Sequence, residues 1–157
     1  VACPGACVIN HARPETTNRR RIEMKESLAT GLTMTAHIDI DTGRTIDFMG
    51  DEGRVYATPE LVRDIEMTCR DLLLEHLDEG EDSVGTRVEI DHIGATLLGM
   101  WVEITVTVSA VNGRAVSFDI SARDNLEDVA RGSHNRFIID VAKTAERLKG
   151  KAAKAGL

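Results

Sequence analysis

VYATPELVRDIEMTCRDLLL, Val55 to Leu74, reads as one long helix with a marked start. Thr58 suits an N-cap, because its hydroxyl can accept an orphan backbone N–H, and Pro59 fits the first helical position, where no N–H is needed. Leu61, Val62, Ile65, Cys69, Leu72 and Leu73 recur every three or four residues, an apolar stripe that must face a core. Glu66 borders that stripe and stands apart from the outward row of Glu60, Arg63 and Asp71. A carboxylate there either turns to water, pairs with Arg63 or Arg70 along the helix, or sits in an apolar wall, where it is costly unless partnered.

Upstream of the helix, Leu32, Met34, Ala36, Ile38 and Ile40 alternate with polar residues as in a half-buried strand. A loop, RTIDFMGDEGR, then leads into the helix with Phe48 and Met49 as its only bulky apolar pair. Downstream, Ser83 to His92 alternates again. This reading sets Val84, Thr86, Val88, Ile90 and His92 on one face and Gly85, Arg87, Glu89 and Asp91 on the other. A histidine on an apolar face is more often a satisfied core group than a functional one, although titratable groups with shifted pKa values collect at sites. Met100 to Val111 is the clearest strand, and Asn112-Gly113 predicts a type I′ turn into an antiparallel strand from Arg114 to Asp124. Val129 to Val141 reads as another long strand. From Ala142 an Ala/Lys-rich amphipathic helix is expected to fray into a basic, solvated tail. One long helix against one antiparallel, strongly twisted sheet is an α+β layer arrangement of the hotdog type. Such a sheet leaves an open edge, and a homodimer joining two sheets is expected.

The 157 residues suit one domain, and 42% hydrophobic content supports a single core. A net charge of −7 argues against a nucleic-acid binder. No apolar run reaches the length of a membrane span or has the form of a secretory signal, so a cytoplasmic protein is expected. Cys3, Cys7 and Cys69 are an odd set split between a tail and a helix, which predicts neither a disulfide framework nor a zinc site, and no cofactor is implied. Residues 1–23 show no sustained period and read as a disordered or non-native extension. The folded domain is expected over 24–141, with 142–157 as the basic C-terminal helix.

In order and spacing, VYATPELVRDIEMTC, GEDSVGTRVEIDHIGATLLGM, a strand hairpin and RGSHNRFIID resemble the fluoroacetyl-CoA thioesterase-like family of hotdog proteins. The resemblance spans about Met24 to Val141. It implies an acyl-CoA thioesterase whose catalytic group is Thr58, Glu66 and His92. It further implies that Gly85 offers its backbone near the thioester and that Arg136 lines the site. The family's fluoroacetyl-specific members carry a longer loop before the helix, with a pair of phenylalanines as a lid; here Phe48 stands alone, which implies a small or short-chain acyl-CoA. Arg87, Arg114, Arg123 and Arg131 are candidates for the CoA phosphates.

Thioester hydrolysis needs an attacking water or carboxylate, a group that manages the proton, and donors for the oxyanion. Glu66 can be nucleophile or general base, His92 a proton relay, and Thr58 a donor to the carbonyl or water. Eight residues of straight helix separate Thr58 from Glu66 by about 12 Å. Either Thr58 precedes the regular helix in a bent entry or the site combines two protomers. Two other readings compete: a non-catalytic acyl-CoA-binding or dimeric module, and a hotdog hydratase or dehydratase, whose expected aspartate and histidine on one helical segment are absent.

Overall fold

Alternating and helical periodicity translate into five strands and two helices in the computed structural model, which describes residues 27–157. They are β1 (Thr33–Asp39), α1 (Thr58–Leu74), β2 (Glu81–His92), β3 (Trp101–Asn112), β4 (Ala115–Arg123), β5 (Asp128–Asp140) and α2 (Val141–Ala155). The expectations for residues 1–23, including Cys3 and Cys7, lie outside the described residues. The strands form one antiparallel sheet in the order β1-β3-β4-β5-β2, and α1 packs against it in the hotdog arrangement. Leu61, Ile65, Cys69, Leu72 and Leu73 of α1 are buried against Val102, Ile104, Val106, Phe118 and Ile138 of the sheet. Each such Leu or Ile contributes about 1.5–3 kcal/mol by leaving water, so the stripe anchors α1 firmly.

Three local expectations are corrected. The helix begins at Thr58 itself with Ala57 as N-cap, and no side chain caps it. The Thr58 hydroxyl is therefore available for other partners. At the β3–β4 hairpin, Asn112 pairs with Ala115 and ends β3, so the two-residue loop is Gly113-Arg114. Gly113 has φ 58° and no non-glycine residue has positive φ among the described residues, which is the pattern of a type II′ turn and not of I′. The C-terminal helix does not fray over KAAKAGL. It runs to Ala155 and stops at Gly156, whose φ of 74° is the left-handed conformation that closes helices.

A fourth correction positions the site. Val84 pairs with Phe137 and Gly85 with Arg136, but Arg87 pairs with Asn135, leaving Thr86 as an extra residue in β2. This bulge inverts the side-chain alternation. Ser83 and Gly85 thus share the helix-facing side with Val88, Ile90 and His92, whereas Val84 turns to the outer face beside Phe137. The expectation that Val84 lies with His92, and Gly85 opposite, fails for this reason.

Candidate active site

α1 and β2 bring the expected residues together in two groups, not one. At the start of α1, Thr58 Oγ1 lies 2.9 Å from His92 Nδ1 at the end of β2. Burial pulls the His92 pKa below its ordinary value, opposed by a hydrogen bond with the Gly94 backbone that favours the protonated ring. The imidazole is therefore neutral near pH 7, and its Nδ1 can accept the Thr58 proton.

Two turns along the helix, Glu66 faces β2 and β5. Its carboxylate borders Gly85, where an added Cβ would collide directly with Oε1 and come within 3.1 Å of His134 Cε1. Glu66 pairs with neither Arg63 nor Arg70: Arg63 is 3.5 Å from Glu60, and Arg70 Nε donates to Asp82 at 2.9 Å. The Glu66 side chain is 42% exposed and stands 3.7 Å from His134 Nε2.

Arg136 organises this second group. It is buried, donating from Nε to Ser83 Oγ (2.9 Å) and from its terminal nitrogens to the Ser83 carbonyl (2.7 Å) and the Glu66 carbonyl (3.2 Å). One of these nitrogens also lies 3.2 Å from His134 Nε2. A guanidinium only donates, so Nε2 accepts and Nδ1–H donates to the Arg87 carbonyl at 2.8 Å. His134 is thereby fixed as a neutral ring, in keeping with a pKa lowered mainly by burial. Its contact with Glu66 is a contact of carboxylate with neutral imidazole. No hydrogen bond to the Glu66 carboxylate is found among the described residues, so its oxygens are open to a water or a carbonyl carbon.

Thr58 and Glu66 both belong to the regular part of α1, which excludes the bent entry and leaves them about 12 Å apart along one helix. His134 was not singled out in the sequence; the signal for it was its place two residues before Arg136 on the same strand face. Tyr56, Asp64 and Ser83 were also missed. Phe48 is 80% exposed on the loop before α1. Cys69 is buried, with its thiol pushed up to about 12, and cannot serve as a nucleophile. Of the four arginines considered for phosphates, Arg87 pairs with Glu89, Arg114 with Glu81 and Arg131 with Asp91, and Arg123 has no ion pair among the described residues. A groove of about 670 Å³ lies between α2 and the outer face of β2 and β5, and a cavity of about 160 Å³ borders Arg123 and Arg131. Neither is lined by Thr58, Glu66 or His92. Among the described residues there is no cluster of three or more metal-ligating side chains and no helix long and apolar enough to cross a membrane.

The same fold recurs in solved structures. A thioesterase superfamily member from Thermus thermophilus superposes with a TM-score of 0.76 at 23% identity, over 83% of this chain and 98% of that one, and shares the fold. A structure of the fluoroacetyl-CoA thioesterase FlK superposes with a TM-score of 0.74 at 26% identity, over 80% and 98% of the two chains. These likenesses define a hotdog-fold thioester hydrolase. The fluoroacetyl-CoA thioesterase of Streptantibioticus cattleyicolor is 27% identical over 135 residues, which are 82% of this chain and 97% of that protein. Residues 40–142 match the family described as FlK, fluoroacetyl-CoA-specific thioesterase, and the chain belongs to that family. It is a hydrolase acting on an acyl-CoA thioester.

Proposed function

We propose that this chain hydrolyses a small or short-chain acyl-CoA to free acid and CoA, at a site shared between the two protomers of a homodimer. The observation that carries the reading is the 2.9 Å contact of Thr58 with His92, since a hydroxyl at a helix start that forgoes capping for an imidazole is poised for proton transfer. Glu66 supplies the second half. It attacks the thioester carbon, forming an acyl anhydride that water then hydrolyses to release the acid and restore the carboxylate, or it draws a proton from the attacking water, while the Gly85 backbone faces the developing oxyanion. The C–S bond breaks, and His92 relays the proton that the departing thiolate takes up.

The edge strand supports sharing between protomers. Val84 and Val88 of β2 are 44% and 42% exposed on a strand with one unpaired side. Such an edge favours a second copy. Antiparallel pairing of two β2 strands centred on Glu89, with Thr86 bulged out of the ladder, would set Gly85 across from the partner's His92. Glu66, which lies on Gly85, then meets the hydroxyl–imidazole pair that its own helix holds about 12 Å away. Mixed dimers of a Glu66→Gln chain with a Thr58→Ala chain are expected to recover part of the activity that either homodimer lacks. Mixed dimers no more active than the homodimers would refute the shared site.

The name of the family specifies fluoroacetyl-CoA. The short loop with Phe48 alone supports a broader small-acyl preference here. A panel of acetyl-, fluoroacetyl-, propionyl- and longer acyl-CoA thioesters, read by free thiol, tests this; saturable binding without thiol release across the panel would favour a binding module.

Gly85→Ala gives a separate check. The added methyl meets only the mobile end of Glu66 and the edge of His134, so the fold should survive. The carboxylate must move, and kcat is expected to fall by about 10-fold or more, as for a displaced reacting group. Unchanged kcat with a folded variant would remove Gly85 from the site.

A further inference from the structure

Outside the groups assigned so far, one partly buried polar chain ends against His92. Arg44 Nε donates to Asp64 Oδ2 at 3.0 Å, and a second guanidinium nitrogen reaches Oδ1 at 3.4 Å. The Tyr56 hydroxyl donates to the same Oδ2 at 2.7 Å. Asp64 and Tyr56 are both buried. The Tyr56 ring then meets the His92 ring edge-on, with centroids 6.2 Å apart and planes at 74°. The backbone is clamped as well, by the Tyr56 N–H to the Thr96 carbonyl and the Ala57 N–H to the Arg44 carbonyl, both at 2.8 Å.

An aspartate on the inward side of a helix is a poor way to stabilise a core, because desolvation offsets most of what its ion pair returns. What the trio supplies is direction. A tyrosine hydroxyl with one short, charged acceptor holds its ring in a single orientation, and that ring is the one that meets His92 edge-on. We propose that Tyr56, anchored by Asp64 and Arg44, is a positioning residue for His92, holding the imidazole where Nδ1 meets the Thr58 hydroxyl. The proposal rests on His92 acting in the hydrolysis, as argued above.

His92 is faced by Tyr56 from the loop before α1, by Thr58 from α1 and by the Gly94 backbone after β2, with Ala130 as its cross-strand neighbour on β5. Asp64 and Arg44 reach it through Tyr56, and Glu60 acts on Tyr56, not on the imidazole. Because burial is what keeps the ring neutral, a loosened Tyr56 admits water and lets the His92 pKa climb back towards 6.5.

Tyr56→Phe keeps the ring and removes its anchor; Asp64→Asn keeps an oxygen acceptor for the hydroxyl and removes the charge. In Tyr56→Phe, kcat is expected to fall about 10-fold with KM within about two-fold, the split of a lost orientation and not of lost binding. The acid limb of the kcat/KM profile is expected to move up by about half a unit. Asp64→Asn should show the same changes in smaller measure, and decides alone if Tyr56→Phe does not fold. NMR titration of the His92 ring in the free protein reads the upward shift without substrate. Absence of thiol release in the unaltered protein would therefore sink the hydrolase reading, not the contact with His92. Lowered thermal stability with an unmoved His92 titration and unchanged kcat would overturn the positioning role.

Discussion

Glu66→Gln is expected to lower kcat for acyl-CoA hydrolysis by about 10²–10⁴-fold, the range lost when a positioned acid–base group is removed. The substitution preserves shape and keeps one oxygen. It removes the negative charge that makes the side chain a base or nucleophile. The surroundings predict little structural damage, because the carboxylate accepts no hydrogen bond among the described residues and its side chain is 42% exposed. Arg136 grips the Glu66 backbone carbonyl and Ser83, not the carboxylate, so the helix–sheet junction is untouched. Substrate affinity should change far less than turnover. A Glu66→Gln protein that turns over at the rate of the unaltered enzyme would leave Thr58 and His92 to act without a carboxylate, and the mechanism proposed here would fail.

The second large effect is at His92. His92→Ala removes the base that faces Thr58 and should lower kcat by about 10²-fold or more. The sign of its pH dependence follows from burial. Only the neutral ring can accept the Thr58 proton, so activity rises as pH passes upward through the His92 pKa and is level above it. That pKa lies below the ordinary 6.5, because burial disfavours the charged ring more than the Gly94 backbone bond favours it. In the kcat/KM profile an acid limb centred below 6.5 is therefore expected, and His92→Ala should abolish that limb. A limb that persists unchanged in the variant would assign it to another group. Residues that act as a unit do not add, so the Glu66→Gln/His92→Ala double variant should be little worse than the poorer single one.

The errors of sequence reading in this chain have local causes. Thr58 was expected to cap a helix because a threonine before a proline commonly does; the cap is Ala57, and the hydroxyl turns to a strand end 34 residues later in the chain. Gly85 was expected on the face opposite His92 because strict alternation assumes no bulge, and the extra residue at Thr86 breaks it. Asp64 was hidden for a different reason. A lone aspartate in a helix is most often solvated, and its partners Arg44 and Tyr56 lie 20 and 8 residues upstream, before the helix begins and beyond the one-turn spacing at which helix neighbours pair. His134 was visible as a polar residue in a strand, but only pairing with β2 and the approach of Arg136 give it a fixed tautomer beside Glu66.

Apolar spacing is a property of neighbouring residues, and that is why the sequence alone already yielded the long helix, the strands around it and the layer architecture; the family resemblance came separately, from whole motifs in their order. Which groups meet is another matter. Thr58 joins His92 while Glu66 joins Gly85, His134 and Arg136, and this division arises from one inserted residue in β2 and from the seating of that strand beside β5 at the sheet's edge. Contacts between distant segments depend on register and sheet order, which no short stretch of residues encodes; the fold had to bring them together before the two groups of side chains could be seen.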